Sequence, residues 1–251
     1  MRRLLPAGPT DPAVPDLPAV YAYPAAGVWL RGQMVTSADG AAVAAGRSEG
    51  LSGPADKRIF ALTRALADVI LVGAATVRAE GYLPPTVRAE YRPLRAGRPA
   101  PALAIVSASL DLDLGRPEYR AAGADPATRT VVLTSARTAR EQAKRVSDLA
   151  DVADVLVAGE DRADLGRAVD LLAARGHRRL LCEGGPRLLA QVAAAGRLDE
   201  LCLTTAPLLL GGPAVRVLDG PELDPPARYG LVSLLEEDGF LFARYLRGVG
   251  R

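Results

Sequence analysis

Scarce reactive residues narrow the chemistry of this sequence first. The 251 residues include two cysteines and a single histidine, His177. With one histidine, neither a His-based metal cluster nor a serine triad with a second histidine in reserve is easily built. His177 lies in the polar run Arg175-Gly176-His177-Arg178-Arg179, where a solvated role is expected. Cys182 and Cys202 sit in apolar runs without metal-ligand spacing and read as small buried hydrophobes. Aromatic residues make up only 4% of the chain. A formal net charge of +2, with no long Lys/Arg run, leaves no electrostatic footprint for nucleic acid or a membrane surface. No apolar stretch is long enough for a signal peptide or a membrane span, so the cytoplasm is the default compartment.

Several motifs are missing as well. There is no GxGxxG opening a helix after an early strand, so a standard Rossmann nucleotide fold lacks its main support. GxxxxGK[ST], HEXXH, paired CxxC and HxE…PCxxC are also absent, which sets aside nucleotide hydrolysis and zinc chemistry. The partners left are small molecules and another copy of the chain.

What is present is a hydrophobic fraction of 49%, in a chain long enough to bury one large α/β core. The stretch 180–212 organises it. A short apolar strand, Leu180-Leu181-Cys182, breaks at Glu183-Gly184-Gly185, and Pro186 opens a helix with Leu188, Leu189 and Val192 at helical spacing. Glycines between a strand and a helix let a ligand approach the backbone, and the first helical turn favours anions. These residues fit a phosphate or pyrophosphate site, and they fit equally a tight turn that merely suits two glycines.

The remaining periodicity predicts strands at 28–35, 68–73, 102–107, 130–134, 155–158 and 200–205. Helices are expected at 54–67, through 150 after the fourth strand, and at Leu165–Ala174. Residues 229–235 and 240–246 flank Glu236-Glu237-Asp238-Gly239 as a terminal hairpin. Residues 1–24, rich in proline, read as an extended or disordered leader, and 83–101 and 115–129 as loops. Residues 25–251 then form one α/β domain: a mostly parallel sheet flanked by helices, with antiparallel strands added by the hairpin. The C-terminal ends of its strands carry Thr36-Ser37, Gly73…Thr76, Ser107 and Glu183-Gly184-Gly185. Ligands bind along that edge of a parallel sheet. With no evident nucleophile–base pair, this set favours hydride transfer, in which a cofactor carries the chemistry.

Five segments occur in one order: MVTSADG at 34–40, GRSEGLS at 46–52, the Arg64 helix, DVILVGAATVRAE at 68–80 and CEGGPRLLAQ…GRLDEL…APLLLGG at 182–212. Together they resemble the reductase domain of the bacterial bifunctional riboflavin-biosynthesis deaminase/reductase family, over about 28–246. The resemblance implies a dihydrofolate-reductase-like fold. It also implies NADPH as cofactor, and reduction of a ribosylaminopyrimidine 5′-phosphate to its ribitylamino form. Cofactor positions then fall on Thr36, Gly73, Thr76, Glu80, Ser107, Gly184, Gly185, Pro186, Arg187 and Leu188. Ser48, Arg64 and Glu183 match substrate positions, Arg64 as partner of the substrate phosphate and Glu183 as acceptor for pyrimidine amino groups. Gln33, Asp39 and Glu183 are the candidates beside the reacting centre, Asp39 either shaping the turn next to the nicotinamide or taking part in the reaction. The resemblance further implies a homodimer.

Three departures stand out. The deaminase half is missing, so a stand-alone reductase is expected. Gln33 replaces the lysine common in riboflavin-pathway members and can supply hydrogen bonds but no charge. Gly50 replaces a frequent aromatic, and Gly81-Tyr82-Leu83-Pro84-Pro85 leaves the usual pattern. These departures keep open a reductase of another heterocycle, dihydrofolate included, or a nucleotide-binding protein without turnover.

Overall fold

Short apolar runs alternate with amphipathic stretches, and the strands they form assemble into one ten-stranded sheet. The computed structural model describes residues 1–5 and 15–248. In chain order the elements are β1 (Arg2–Leu5), α1 (Leu17–Val20), β2 (Trp29–Ser37), α2 (Pro54–Leu66), β3 (Val69–Gly73) and α3 (Ala74–Glu80). There follow β4 (Ala102–Val106), α4 (Pro117–Gly123), β5 (Thr130–Thr134), α5 (Ala136–Glu141), α6 (Ala143–Leu149), β6 (Ala153–Val157) and α7 (Leu165–Ala174). The chain closes with β7 (Arg179–Cys182), α8 (Pro186–Ala194), β8 (Glu200–Ala206), β9 (Tyr229–Glu237) and β10 (Phe240–Arg247).

The strand order is β1-β9-β10-β8-β2-β7-β3-β4-β5-β6. From β8 to β6 all neighbours are parallel, and β10, β9 and β1 add antiparallel strands on one side. The central strands are buried on both faces because successive side chains alternate between two helical layers. Val69 and Leu71 of β3 pack with Leu165, Leu172 and Leu189 from α7 and α8. Ile70 and Val72 point the other way, toward Val77, Tyr119 and Leu149. A third cluster joins Ile59 and Leu62 of α2 to Tyr21, Leu235 and Phe242. Pro54 opens α2 and Pro186 opens α8 at the first turn, where a missing N–H costs nothing.

Four expectations change. The leader contributes to the fold: β1 pairs with β9 in the register Arg2↔Glu236 and Arg3↔Leu235, so β9 is not the edge strand. Asp16 caps α1 through Ala19 N–H at 3.2 Å, and Tyr21 is 1% exposed. Local periodicity misses this because the partners of residues 2–5 lie at the far end of the chain; residues 6–14 of the expected leader lie outside the described residues. The presumed loop 115–129 contains α4, anchored by the buried Tyr119, whose hydroxyl donates to Tyr82 O at 2.8 Å. The loop 83–101 contains a 3-10 helix, Ala89–Arg95, with Arg95 buried at its end. The helix expected through 150 is divided at Gln142 into α5 and α6.

Candidate active site

The parallel strands end along one edge of the sheet, and a cavity of about 440 Å³ opens there between α2, α3 and the start of α8. That is an ordinary size for a small-molecule site. Of the residues expected at a site, Gln33, Ser48, Arg64, Thr76, Glu80, Glu183, Gly185 and Pro186 line this one cleft. They come from five separate segments of the chain.

The glycine junction is shaped for close approach. Gly184 has φ +81, a conformation that favours glycine, and its peptide with Gly185 is cis. A Cβ on Gly185 would lie 2.8 Å from Thr76 Oγ1, so the position accepts no side chain without displacement. Thr76 Oγ1 itself accepts the Gly185 N–H at 2.8 Å, and Gly73 N–H donates to Gly184 O at 2.8 Å. The result is a side-chain-free, half-buried turn at the N-terminus of α8, a nine-residue helix whose dipole favours an anion. These features fit a dinucleotide pyrophosphate at the helix start, with Thr76 and Gly73 holding the turn.

Directly before this turn, Glu183 at the end of β7 meets Arg64, which reaches across from α2. Nε and Nη2 donate to the two carboxylate oxygens, both at 2.7 Å. The Tyr82 hydroxyl donates to Oε2 at 2.9 Å. A carboxylate has about four acceptor positions, so Glu183 keeps about one. Its side chain is 1% exposed and that of Arg64 24%. Burial opposes the Arg64 charge, but the adjacent Glu183 carboxylate more than offsets it and raises the guanidinium pKa above its usual value. Burial, then the Glu183 charge, raises the Tyr82 phenol well above its ordinary range. The Arg64 guanidinium also lies over the rings of Phe60, at 4.3 Å, and Tyr82, at 5.3 Å. Two of its five N–H donors are taken by Glu183, which leaves three for a ligand.

Gln33 is nearly buried on β2, where its Oε1 accepts from Thr63 Oγ1 at 2.5 Å. That contact leaves the Gln33 amide donors without a partner among the described residues. Glu80 accepts from Ser48 N and Oγ, at 3.0 and 3.2 Å, and so ties the 46–53 loop to α3. The cleft is acidic overall: Glu49, Asp56, Glu80 and Glu183 face only Lys57 and Arg64.

Other expected residues lie elsewhere. Asp39 braces a loop: Ser37 Oγ donates to its Oδ1, and Oδ2 accepts from the N–H groups of Leu210 and Gly211 at 3.1 and 2.7 Å. The Ser37 hydrogen bond, followed by that from Gly211, lowers the Asp39 pKa. Thr36 Oγ1 donates to Ser37 O, and Ser107 Oγ accepts from Leu110 N–H at 3.0 Å, so both hydroxyls serve their own turns. Arg187 points to solvent and pairs with Asp219, while Leu188 packs into the core. Sequence reasoning passed over Tyr82, Phe60, Asp56, Thr63 and Lys57. Asp56 and Lys57 lie about two turns before Arg64 on α2 and line the same cleft, and that helical spacing of charges was the available signal. Tyr82 directly follows Gly81, which ends α3 in a left-handed conformation. Nothing local distinguished it from a loop residue.

Comparison with known proteins gives the family of the chain. The RibD C-terminal domain family matches residues 28–235. A 2,5-diamino-6-ribosylamino-4(3H)-pyrimidinone 5′-phosphate reductase from Archaeoglobus fulgidus is 30% identical over 196 residues, 76% of this chain and 86% of the relative. The enzyme of that name from Methanothermobacter thermautotrophicus is 32% identical over 187 residues, covering 74% and 81%. Among solved structures, a pyrimidine reductase-like protein from Corynebacterium diphtheriae superposes with a TM-score of 0.77 at 28% identity, covering 88% of this chain and 92% of that one.

Proposed function

Because the chain belongs to the RibD C-terminal domain family, we propose that it is an NADPH-dependent oxidoreductase of riboflavin biosynthesis. It reduces the ribosyl group of a ribosylaminopyrimidine 5′-phosphate to ribityl. The first substrate to test is 2,5-diamino-6-ribosylamino-4(3H)-pyrimidinone 5′-phosphate, after the curated relatives. The observation that carries this reading is one cleft in which the glycine junction and the Arg64–Glu183–Tyr82 cluster adjoin at the end of β7.

The cofactor, when bound, supplies hydride to C1 of the ring-opened sugar imine, whose nitrogen takes up a proton. The chain positions the reactants. Gly184, Gly185 and the first turn of α8 would hold the pyrophosphate, beside the Met34 and Thr76 side chains that pack against the two glycines. The remaining donors of Arg64, with the exposed Lys57 beside it, would take the substrate phosphate. Glu183 fixes Arg64 and Tyr82 in place and has about one acceptor position left for a pyrimidine amino group. The unpaired Gln33 amide donors supply hydrogen bonds where a lysine would supply charge. Gln33 therefore suits a substrate whose recognition is shared among neutral groups. The chain works as a homodimer in the cytoplasm in this reading, a role supported by the exposed Leu208, Leu209 and Leu210.

Calorimetry with NADPH, followed by NADPH oxidation with a substrate panel, tests the proposal. The diamino-pyrimidinone and the 5-amino-uracil ribosylamino phosphates and dihydrofolate form that panel. Turnover is expected with a ribosylaminopyrimidine phosphate. No NADPH binding, or turnover with dihydrofolate alone, would overturn the assignment. Sedimentation analysis that finds only monomer would remove the dimer.

A further inference from the structure

At the edge of the sheet opposite the cleft, where β2, β3, β4 and β7 begin, lies a second cavity of about 620 Å³. Five arginines line it: Arg95, Arg98, Arg175, Arg178 and Arg179. Three of them come from the run 175–179, which the proposed reaction does not use. Asp68 is the one lining carboxylate among the described residues, and it is already shared. It accepts from Arg98 Nη1 at 2.6 Å and from the backbone N–H groups of Arg178 and Arg179 at 3.1 and 3.0 Å. The Arg179 guanidinium lies 3.9 Å from it. Arg175 pairs with Asp154, which also accepts from Arg129.

Two arginines have no carboxylate partner among the described residues. Arg95, 5% exposed, donates to the carbonyl oxygens of Ala65 and Ala67 at 2.8 and 2.5 Å. Burial, and then repulsion from Arg98, pull its pKa down to about 10. Arg178 is exposed, and its guanidinium makes no ion pair among the described residues. Cations held together in a concavity raise the local anion concentration. Planar guanidinium groups match phosphate oxygens two at a time. The rest of the wall is mostly apolar, with Pro24, Trp29, Pro99 and Pro126, and it includes the single histidine, His177. The Trp29 indole is fixed there by its Nε1–H, which donates to Glu200 Oε2 at 3.0 Å.

We propose that this cavity binds an oligophosphate-bearing molecule of the nucleotide class, its phosphates on Arg98, Arg178 and Arg179 and its ring against Trp29. The site is separate from the reductase cleft, because five-residue β3 runs between the two and spans about 16 Å. It therefore does not depend on the substrate assigned above.

Trp29 is the only tryptophan in the chain, so its emission reports on this cavity. The full chain is titrated with inorganic pyrophosphate and with adenosine diphosphate while that emission is followed. Both probes are expected to give a saturable change below about 1 mM, with adenosine diphosphate the tighter because its ring is also buried. Arg178→Glu should weaken both about tenfold or more, the scale of one charge-assisted hydrogen bond, and leave NADPH turnover unchanged. No emission change, or weakening by Arg178→Glu of less than about fivefold, would overturn the site. Equal affinity for the two probes would overturn its nucleotide class.

Discussion

Glu200 and Glu183 are equally hidden, each with 1% of its side chain exposed, yet their arginines are not. Glu200 lies among β2, β8 and β10, between Arg31, 0% exposed, and Arg244, 13% exposed. The Arg31 guanidinium approaches Glu200 at 2.9 Å without hydrogen-bond alignment and lies over the Tyr23 ring at 4.1 Å. Trp29 Nε1 and Arg244 Nε donate to the same carboxylate at 3.0 and 2.7 Å. Glu183 sits where a strand ends, so its partner Arg64 opens onto the cleft at 24% exposure. Both regions combine an arginine, a glutamate and aromatic rings. The closed cluster has no donors that a ligand could reach, and the open one has three. Position along the strand, rather than residue type, separates the closed ion pair from the one that opens onto the cleft.

The largest effect is expected from Glu200→Gln. Removing the counter-ion leaves Arg31 charged in a closed interior, which costs about 3–5 kcal/mol, read by denaturant unfolding. A loss below about 1 kcal/mol would show that rings alone support Arg31 and would erase the contrast. Burial works to raise the Glu200 pKa, but Arg31 and then Arg244 outweigh it and hold the carboxyl below its ordinary 4.5. A depressed carboxylate contributes stability above its unfolded pKa and loses it as pH falls through the folded value. Acid unfolding below pH 4.5 should accordingly be steeper in the wild type than in Glu200→Gln.

Arg64→Ala comes next, and its effect should fall on function. Loss of charged hydrogen bonds to the substrate phosphate predicts a fall in kcat/KM of about 10- to 100-fold, carried by KM. NADPH affinity should stay within about twofold, since the Arg64 side-chain hydrogen bonds go to Glu183 and not to the glycine junction. Stability should drop less than in Glu200→Gln, because water reaches Glu183 once the cleft is opened. Equal loss of NADPH and substrate binding would make Arg64 a structural residue and merge the two clusters. Tyr82→Phe is smaller. It removes one hydrogen bond to Glu183 and should cost about 1 kcal/mol in thermal unfolding, with a few-fold rise in KM. Asp39→Asn should have the least effect: turnover near neutrality is retained, and only the acid limb of the stability profile flattens. A collapse of turnover in Asp39→Asn would place this residue in the chemistry despite its bonds to Leu210 and Gly211.

Much of the fold was legible because the central strands are short, fully apolar and bounded by glycines or hydroxyls. The helix Leu165–Ala174 and the Pro186 helix start fell where periodicity and proline placed them. β1 was not legible, since four residues starting Arg-Arg carry no strand period and their partner is β9. α4 was hidden because one large apolar residue, Tyr119, does all its anchoring. In the site, the glycine junction, Arg64 and Glu183 were readable as residues. Their bidentate pairing was not, because they are 119 positions apart and meet only when β7 ends beside α2.

The sequence by itself determined the parallel core, the glycine turn before α8, the family and the small repertoire of chemistry that one histidine and two cysteines leave. Local propensity, hydrophobic period and turn residues specify these things within a few positions of each other. Only the tertiary structure decided which charges are shared. It tied Arg64 to Glu183, moved Asp39 to a loop brace, closed Arg31 around Glu200 and gathered five arginines at the far edge of the sheet. Electrostatic partnership depends on distance and burial, and neither can be known before the strands have taken their order.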